Sequence, residues 1–232
     1  MALKPFDDNE IPDAIEFLAQ WVRRPAAVGA ILPSGKSLAQ AMARQIDLDR
    51  PGLVLELGGG TGTITKACIE MGADPRSIVV LEKAPSFCSL IRERFPEVQV
   101  IRGDARNLQT LLDVRGIGPF KAVLSSLPLL SIPENQRNRI LAQVFEVLEQ
   151  DGVFVQFTYG PLSPVPRCIT RSLELVKDRS AWVLRNVPPA SVWRYSRASG
   201  GTTPGRGRMP HAAVSAERQQ ACRAMGSIQA VE

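Results

Sequence analysis

The run Leu53-Val-Leu-Glu-Leu-Gly-Gly-Gly-Thr-Gly-Thr63 constrains this chain more than any other stretch, because residues of strand character pass directly into a glycine cluster and then a helical pattern. It reads as strand, tight turn, helix. Gly58, Gly60 and Gly62 carry no Cβ and accept positive φ, so backbone N–H groups and the following helix N-terminus can approach a cofactor closely. That predicts a nucleotide-type pocket. The spacing is G-x-G-x-G, whereas the dinucleotide fingerprint needs glycine where Thr63 stands, which counts against NAD and FAD. Glu56, just before the turn, is placed to hold an ammonium or to shape the loop.

The chain has 232 residues, 44% hydrophobic and 22% charged, which suits one α/β domain with a full-sized core. No apolar run reaches the ~18 residues of a membrane span, and Met1-Ala-Leu-Lys-Pro5 lacks the apolar core of a signal peptide, so a cytoplasmic protein is expected. Cys68, Cys88, Cys168 and Cys222 are scattered without metal-ligand spacing and read as reduced packing residues, with no metal expected. The net charge of +5 favours an anionic partner, nucleic acid or a lipid surface.

A helix is expected from near Pro12, with Ile11, Ala14, Ile15, Leu18, Ala19 and Val22 at three- and four-residue steps, until Pro25 stops it. From Leu18 to Ile46 there is no acid, while Arg23, Arg24, Lys36 and Arg44 give +4 amid apolar residues. Residues 1–35 therefore read as an amphipathic segment that is either a lid on the core or a membrane-surface contact. Ile31-Leu-Pro-Ser-Gly-Lys-Ser37 falls short of a P-loop, since glycine is needed at Ala30. Ser34 instead suits the cap of a helix over 36–46.

Beyond the glycine turn, a helix over 63–71 leads to an apolar strand, 77–83, ending in Glu82 and Lys83. Glu82 lies twenty residues past Gly62, where a βαβ unit places a carboxylate to accept hydrogen bonds from ribose hydroxyls. A helix from Pro85 to Arg94 and a third strand, 98–102, precede Gly103-Asp104-Ala105. Asp104 suits either an adenine amino group, with the Ala105 backbone adding a second contact, or a helix cap. The fourth strand, 120–126, ends in Ser125-Ser126-Leu127-Pro128, at the strand edge that faces the ligand in open parallel sheets. An amphipathic helix over 134–148, a strand over 153–158, and the proline-rich run Tyr159-Gly-Pro-Leu-Ser-Pro-Val-Pro166 follow. The domain closes with a helix over 167–177 and a hairpin of 180–187 and 191–195 at the sheet edge. Residues 160–200 carry seven basic and two acidic side chains. Residues 198–232 lose apolar periodicity and read as a flexible tail beyond a domain over 36–197; they hold the one histidine, His211.

The Glu56–Gly62 turn, Glu82 and Gly103-Asp104-Ala105 on successive strands resemble the class I S-adenosylmethionine-dependent methyltransferases. The resemblance implies an α/β, Rossmann-like, seven-stranded and mostly parallel sheet of order 3-2-1-4-5-7-6, the last strand antiparallel, with N-terminal amphipathic helices. It also implies S-adenosyl-L-methionine as cofactor, with Glu56, Gly58, Gly59, Gly60 and Gly62 around the methionine moiety, Glu82 and Lys83 at the ribose, and Asp104, Ala105 and Ser125 completing the pocket. Trp21 to Ser37, Ser126-Leu-Pro-Leu-Leu130 and Gln156-Phe-Thr-Tyr-Gly-Pro-Leu-Ser-Pro164 are similar to bacterial phospholipid N-methyltransferases, which convert phosphatidylethanolamine stepwise to phosphatidylcholine. Their amphipathic N-terminal helix is associated with membrane attachment, which implies a peripheral protein on the inner face of the cytoplasmic membrane. The rRNA adenine dimethyltransferases are also similar, with an Asn-Leu-Pro-Tyr-like run where this chain has Ser126-Leu127-Pro128-Leu129. The aromatic that would stack on a flipped adenine is absent at Leu129, so a phospholipid rather than a nucleic acid is the expected partner.

The expected chemistry is attack of a neutral lipid amine on a sulfonium methyl. Water, the lipid phosphate, a hydroxyl such as Ser126 or Tyr159, and a carboxylate are all open as proton acceptor. Tyr159 also suits a ring contact with the methylated ammonium, and Arg23, Arg24 and Lys36 suit lipid phosphates. The rival readings are an RNA or small-amine methyltransferase and a non-catalytic lipid-surface protein that keeps the pocket.

Overall fold

Residues 53–57, 78–82 and 120–125 lack the polar alternation of a half-exposed sheet, as expected of strands covered on both faces. A computed structural model describes residues 33–184 and 189–198 and places these three stretches in the middle of a seven-stranded sheet. In chain order the elements are α1 (Pro33–Ala43), β1 (Leu53–Leu57), α2 (Thr63–Glu70), β2 (Ile78–Glu82), α3 (Pro85–Arg94), β3 (Gln99–Arg102) and α4 (Leu108–Asp113). They continue with β4 (Phe120–Ser125), α5 (Glu134–Val147), β5 (Leu148–Tyr159), α6 (Arg167–Ser172), β6 (Leu175–Val183) and β7 (Ala190–Arg197). The sheet order is β3-β2-β1-β4-β5-β7-β6, as the resemblance to class I methyltransferases implied. β1 to β5 pair in parallel, and β7 runs antiparallel to both β5 and β6.

Side chains alternate across the sheet and divide the core in two. Val54, Val80, Ile91, Leu124 and Met42 pack on one face; Leu55, Leu57, Val79, Phe120, Phe154 and Tyr195 pack on the other. Each backbone ladder continues past the formal strand ends: the Gly58 amide donates to Leu81 O, Gly103 to Glu82 O and Ser126 to Leu57 O. The loops following β1, β3 and β4 are thereby held to one edge of the sheet.

Three boundaries differ from the sequence reading. α1 begins at Pro33, so Ser34 lies inside its first turn rather than capping it. Proline favours this position because its fixed φ suits a helix start and its missing N–H is not needed there. The helix after Pro166 stops at Ser172, and Glu174 takes a left-handed φ of 50° that turns the chain into β6 at Leu175, five residues earlier than expected. β5 starts at Leu148 and absorbs the Asp151-Gly152 turn as an irregularity in its pairing with β4. Among the described residues, no helix is long and apolar enough to cross a membrane. The expected helix before Pro25 and the expected tail from 199 onward lie outside the described residues.

Gly59 and Gly60 are neighbours with different constraints. A Cβ on Gly59 would fall 2.4 Å from Val80 Cγ1 and 2.6 Å from Ile91 Cδ1, both inside the core, whereas one on Gly60 would meet nothing within 4 Å. Gly59→Ala is therefore expected to destabilise the fold by about 1–3 kcal/mol through overpacking. Gly60→Ala should cost only the left-handed backbone penalty of about 1–2 kcal/mol. Urea unfolding of both variants checks the order.

Candidate active site

Glu56 and Glu82 end neighbouring strands and project to the same sheet face, since β1 and β2 pair Glu56 with Val80, two residues before Glu82. Glu56 is 2% exposed. Its Oε2 accepts from the Thr65 hydroxyl on α2, and its Oε1, equally buried, has no hydrogen-bond partner. Burial, with a smaller contribution from the negative charge of Glu82, pushes its carboxyl up to about 8. Below that pH the ligand-free site holds a proton, which spares the protein an unpaired buried charge.

Glu82 is also buried, and its oxygens serve two loops. Oε2 accepts from the Gly60 amide at 2.9 Å and Oε1 from the Ala84 amide at 2.7 Å. Each oxygen keeps a lone pair for a further donor. Around this carboxylate Gly58, Gly60 and Gly62 all have positive φ, with values of 79°, 51° and 77°. Their roles differ nonetheless. Gly62 must lack a Cβ because Phe95 would be 2.7 Å away, and Gly58 because the Ser126 hydroxyl would be 2.8 Å away, while Gly60 faces open space. Only Gly60 thus combines a left-handed backbone with room above it. Arg94 secures the far side of the turn by donating to Thr61 O at 2.7 Å.

Asp104 follows β3 and takes the helix-cap role, one of the two readings made of it. It caps a short 3-10 turn, Ala105–Asn107, through the Arg106 amide, and it also binds side chains. Arg106 donates to it in bidentate fashion at 3.0 and 2.7 Å, and Lys83 Nζ lies 3.0 Å from Oδ2. Mainly through Arg106, these bonds hold the carboxyl well below the usual range. With the Arg106 amide, four donors already occupy its roughly four acceptor sites, so an adenine amino group would reach Asp104 only after Arg106 turns aside. Arg106 is 43% exposed, and such a side chain reorients at little cost.

Ser125 is fully buried and its hydroxyl accepts from the Leu127 amide. Ser126 donates to Gly58 O and Leu57 O, so it braces the glycine loop from the β4 side. Tyr159 ends β5 half-buried, its ring edge-on to Phe157 at 5.6 Å. Lys36 is exposed on α1 beside a shallow cleft shared with Lys66, Glu70 and Arg94, away from the carboxylates. Arg23 and Arg24 lie outside the described residues.

Sequence reasoning passed over three supporting residues. Thr65 is a polar residue on the buried side of α2, and Arg106 sits two positions past Asp104. Gln156, polar after the apolar run Val153–Val155 of β5, donates to Leu127 O and Phe157 O and so fixes the loop after β4, while its Oε1 is buried and unpartnered. A lone polar residue in a buried run was the available signal in the first and last cases.

Comparison with known proteins bears on this arrangement. Residues 54–152 match the family model "Methyltransferase domain". Over 186 residues, 78% of this chain and 94% of the relative, the chain is 32% identical to the ornithine lipid N-methyltransferase of Singulisphaera acidiphila. The chain belongs to the class I S-adenosylmethionine-dependent methyltransferases. This methyltransferase is also 32% identical to the ribosomal RNA small subunit methyltransferase A of Chlorobaculum parvum, over 40% of its own length and 32% of that protein. Its fold matches that of the Burkholderia thailandensis 1,6-didemethyltoxoflavin-N1-methyltransferase, with a TM-score of 0.59 at 15% identity, covering 85% of this chain and 94% of the other.

The residues present fit S-adenosylmethionine. The orphaned Glu56 oxygen suits a cationic amino group, the spare lone pairs of Glu82 suit ribose hydroxyls, and the space over Gly60 admits the ligand. A cation beside Glu56 would draw its carboxyl back toward the ordinary value of 4.5. Cofactor binding should therefore release a proton near neutral pH, and affinity should rise between about pH 6 and 7.5 by up to about tenfold per unit. Calorimetry in buffers of different ionisation enthalpy measures the release, which Glu56→Gln should abolish. In the ligand-free protein the sign reverses: the raised value stabilises the fold fully below pH 4.5, and this is lost as pH rises through 8. Glu82→Ala, which removes the acceptor for Gly60 as well as for ribose, should weaken cofactor binding by about 10- to 100-fold, since each lost charge-assisted hydrogen bond is worth about 1.5–3 kcal/mol.

Proposed function

We propose that this methyltransferase acts on the amine of a membrane lipid headgroup. The observation that carries the reading is its identity with the ornithine lipid N-methyltransferase over nearly the whole of that protein. Ornithine lipid is the first substrate to test. Phosphatidylethanolamine and its mono- and dimethyl derivatives, giving phosphatidylcholine, are the second, supported by the similarity of Trp21–Ser37, 126–130 and 156–164 to phospholipid N-methyltransferases. The two share an aliphatic amine on an anionic or zwitterionic amphiphile.

When bound, S-adenosylmethionine supplies an electrophilic methyl group on a sulfonium leaving group. The chain's own task is then mostly positioning and exclusion of water. Ser126 already spends its proton on the Gly58 and Leu57 carbonyls, so it remains an acceptor for an amine N–H and orients the nucleophile without ionising. Tyr159, at the end of β5, offers a ring to an alkylated ammonium, a contact worth about 0.5–2 kcal/mol. The amine must lose a proton before it can attack. Glu56 titrates in a suitable range but is buried against Thr65, on the cofactor side of the loop. Water or the lipid's own anionic group is therefore the better acceptor.

A lipid is also favoured over RNA at the exit of β4. Leu129 is 2% exposed and packs into the core beneath the sheet, and it stands where the similar rRNA enzymes carry an aromatic. With no membrane-spanning helix described, the reading implies peripheral association with the cytoplasmic face of the membrane. Purified protein is expected to transfer methyl groups to ornithine lipid or phosphatidylethanolamine presented in vesicles, resolved by thin-layer chromatography, with the separate lipids distinguishing the two substrates. Transfer to rRNA with none to either lipid would reject the proposal.

A further inference from the structure

Because β7 is antiparallel to both β5 and β6, β6 runs in the same direction as β1 to β5, and its end lies at the same sheet edge as theirs, where the cofactor loop lies. At that end the fold leaves large apolar side chains in the open. Trp182 is 40% exposed, Leu184 directly after β6 is 70% exposed, and Leu162 in the loop after β5 is 53% exposed. Leu184 follows Trp182 by two residues, and Thr158 links Trp182 to the loop that carries Leu162. Trp182 and Thr158 both pair with Ser191 and so share a sheet face; the Thr158 hydroxyl donates to Leu162 O and accepts from Trp193 Nε1. The Arg179 guanidinium lies 5.0 Å from the Trp182 ring centre and 6.0 Å from that of Trp193.

Exposed cations outnumber acids in this part of the chain. Arg167, Arg171, Lys177 and Arg179 are exposed, and none forms an ion pair among the described residues. Of the two acids between 160 and 184, both exposed, Asp178 is turned to the opposite sheet face by its pairing with Arg194, and Glu174 precedes the start of β6, at the other end of the strand from Trp182. A soluble surface has no need of a tryptophan and two leucines beside unpaired cations. An anionic bilayer matches both parts: the indole sits at the headgroup level, leucines enter the acyl boundary, and guanidinium and ammonium groups meet lipid phosphates.

We propose that the edge formed by Leu162, Trp182 and Leu184, with Lys177 and Arg179, docks on an anionic lipid surface and so presents the carboxyl edge of the sheet to the membrane. The proposal rests on the lipid reading of the active site and places a membrane contact on the folded domain itself. It explains how a headgroup amine reaches a site at the strand ends: the lipid need only rise a short way out of the bilayer, because the docked edge and the reaction edge are the same.

The test uses the full chain with vesicles of phosphatidylglycerol and phosphatidylethanolamine. Vesicle affinity of the triple variant Leu162→Ser/Trp182→Ser/Leu184→Ser, and separately of Lys177→Glu/Arg179→Glu, should fall at least about tenfold by cosedimentation. Methylation of vesicle lipid should fall with it, while S-adenosylmethionine affinity and methylation of lipid dispersed in detergent micelles stay within about twofold. Unchanged vesicle affinity in both variants overturns the proposal. So does a change of oligomeric state without a change in vesicle binding, which would assign the surface to a second copy of the chain. If neither lipid is methylated in any presentation, the functional reading fails by itself, and vesicle binding still decides the docking surface.

Discussion

The Glu82 carboxylate is the interaction on which the rest of the site depends. It closes β2 and holds, on separate oxygens, the Gly60 amide of the loop after β1 and the Ala84 amide that precedes α3. Hydrogen bonds from backbone amides to an ionised carboxylate contribute about 1.5–3 kcal/mol each, enough to fix a glycine-rich loop that has little packing of its own. Gly59, wedged between Val80 and Ile91, and Gly62, against Phe95, anchor the loop from beneath. The result is a turn whose only unobstructed backbone is at Gly60. A pocket is therefore built from what surrounds the loop, and the loop's glycines mainly permit close packing.

The acids at this edge are held in opposite electrical conditions. Glu56 is enclosed by apolar residues with one hydroxyl as its partner, so burial favours its neutral form. Asp104 lies at the surface under Arg106 and Lys83, so its charged form is favoured strongly. One is poised to respond to an arriving cation, and the other is satisfied until a ligand competes with Arg106. The same functional group thus serves a charge-responsive role near the end of β1 and a structural one after β3.

Reversal of a single strand has consequences for access. With β7 alone reversed, β6 runs parallel to β1–β5 and ends at the reaction edge, carrying Trp182 and Leu184 there. Loop 160–166 is folded onto the same edge by Thr158 and by the Ser163 hydroxyl, which meets the buried Tyr195 hydroxyl at 2.8 Å. The aromatic and basic surface and the cofactor loop are then parts of one rim.

The sequence by itself determined the buried strands, the glycine turn and the acids at the strand ends, and through them the resemblance that implied the sheet order and the cofactor. These rest on local signals: apolar runs too continuous for a half-exposed sheet, glycines at turn spacing, and acids at fixed distances from them. It was legible that Glu56, Glu82 and Asp104 lie at one edge, because parallel strands must all end on the same side. Only the tertiary structure decided what each is bonded to. That Thr65 approaches Glu56 from nine residues away, that Arg106 covers Asp104, and that Ser126 braces Gly58 across sixty-eight residues depend on side-chain directions set when the helices pack on the sheet. The early end of α6 was likewise hidden, since the left-handed turn at Glu174 is imposed on a residue with no local preference for it by the docking of β6 along β7.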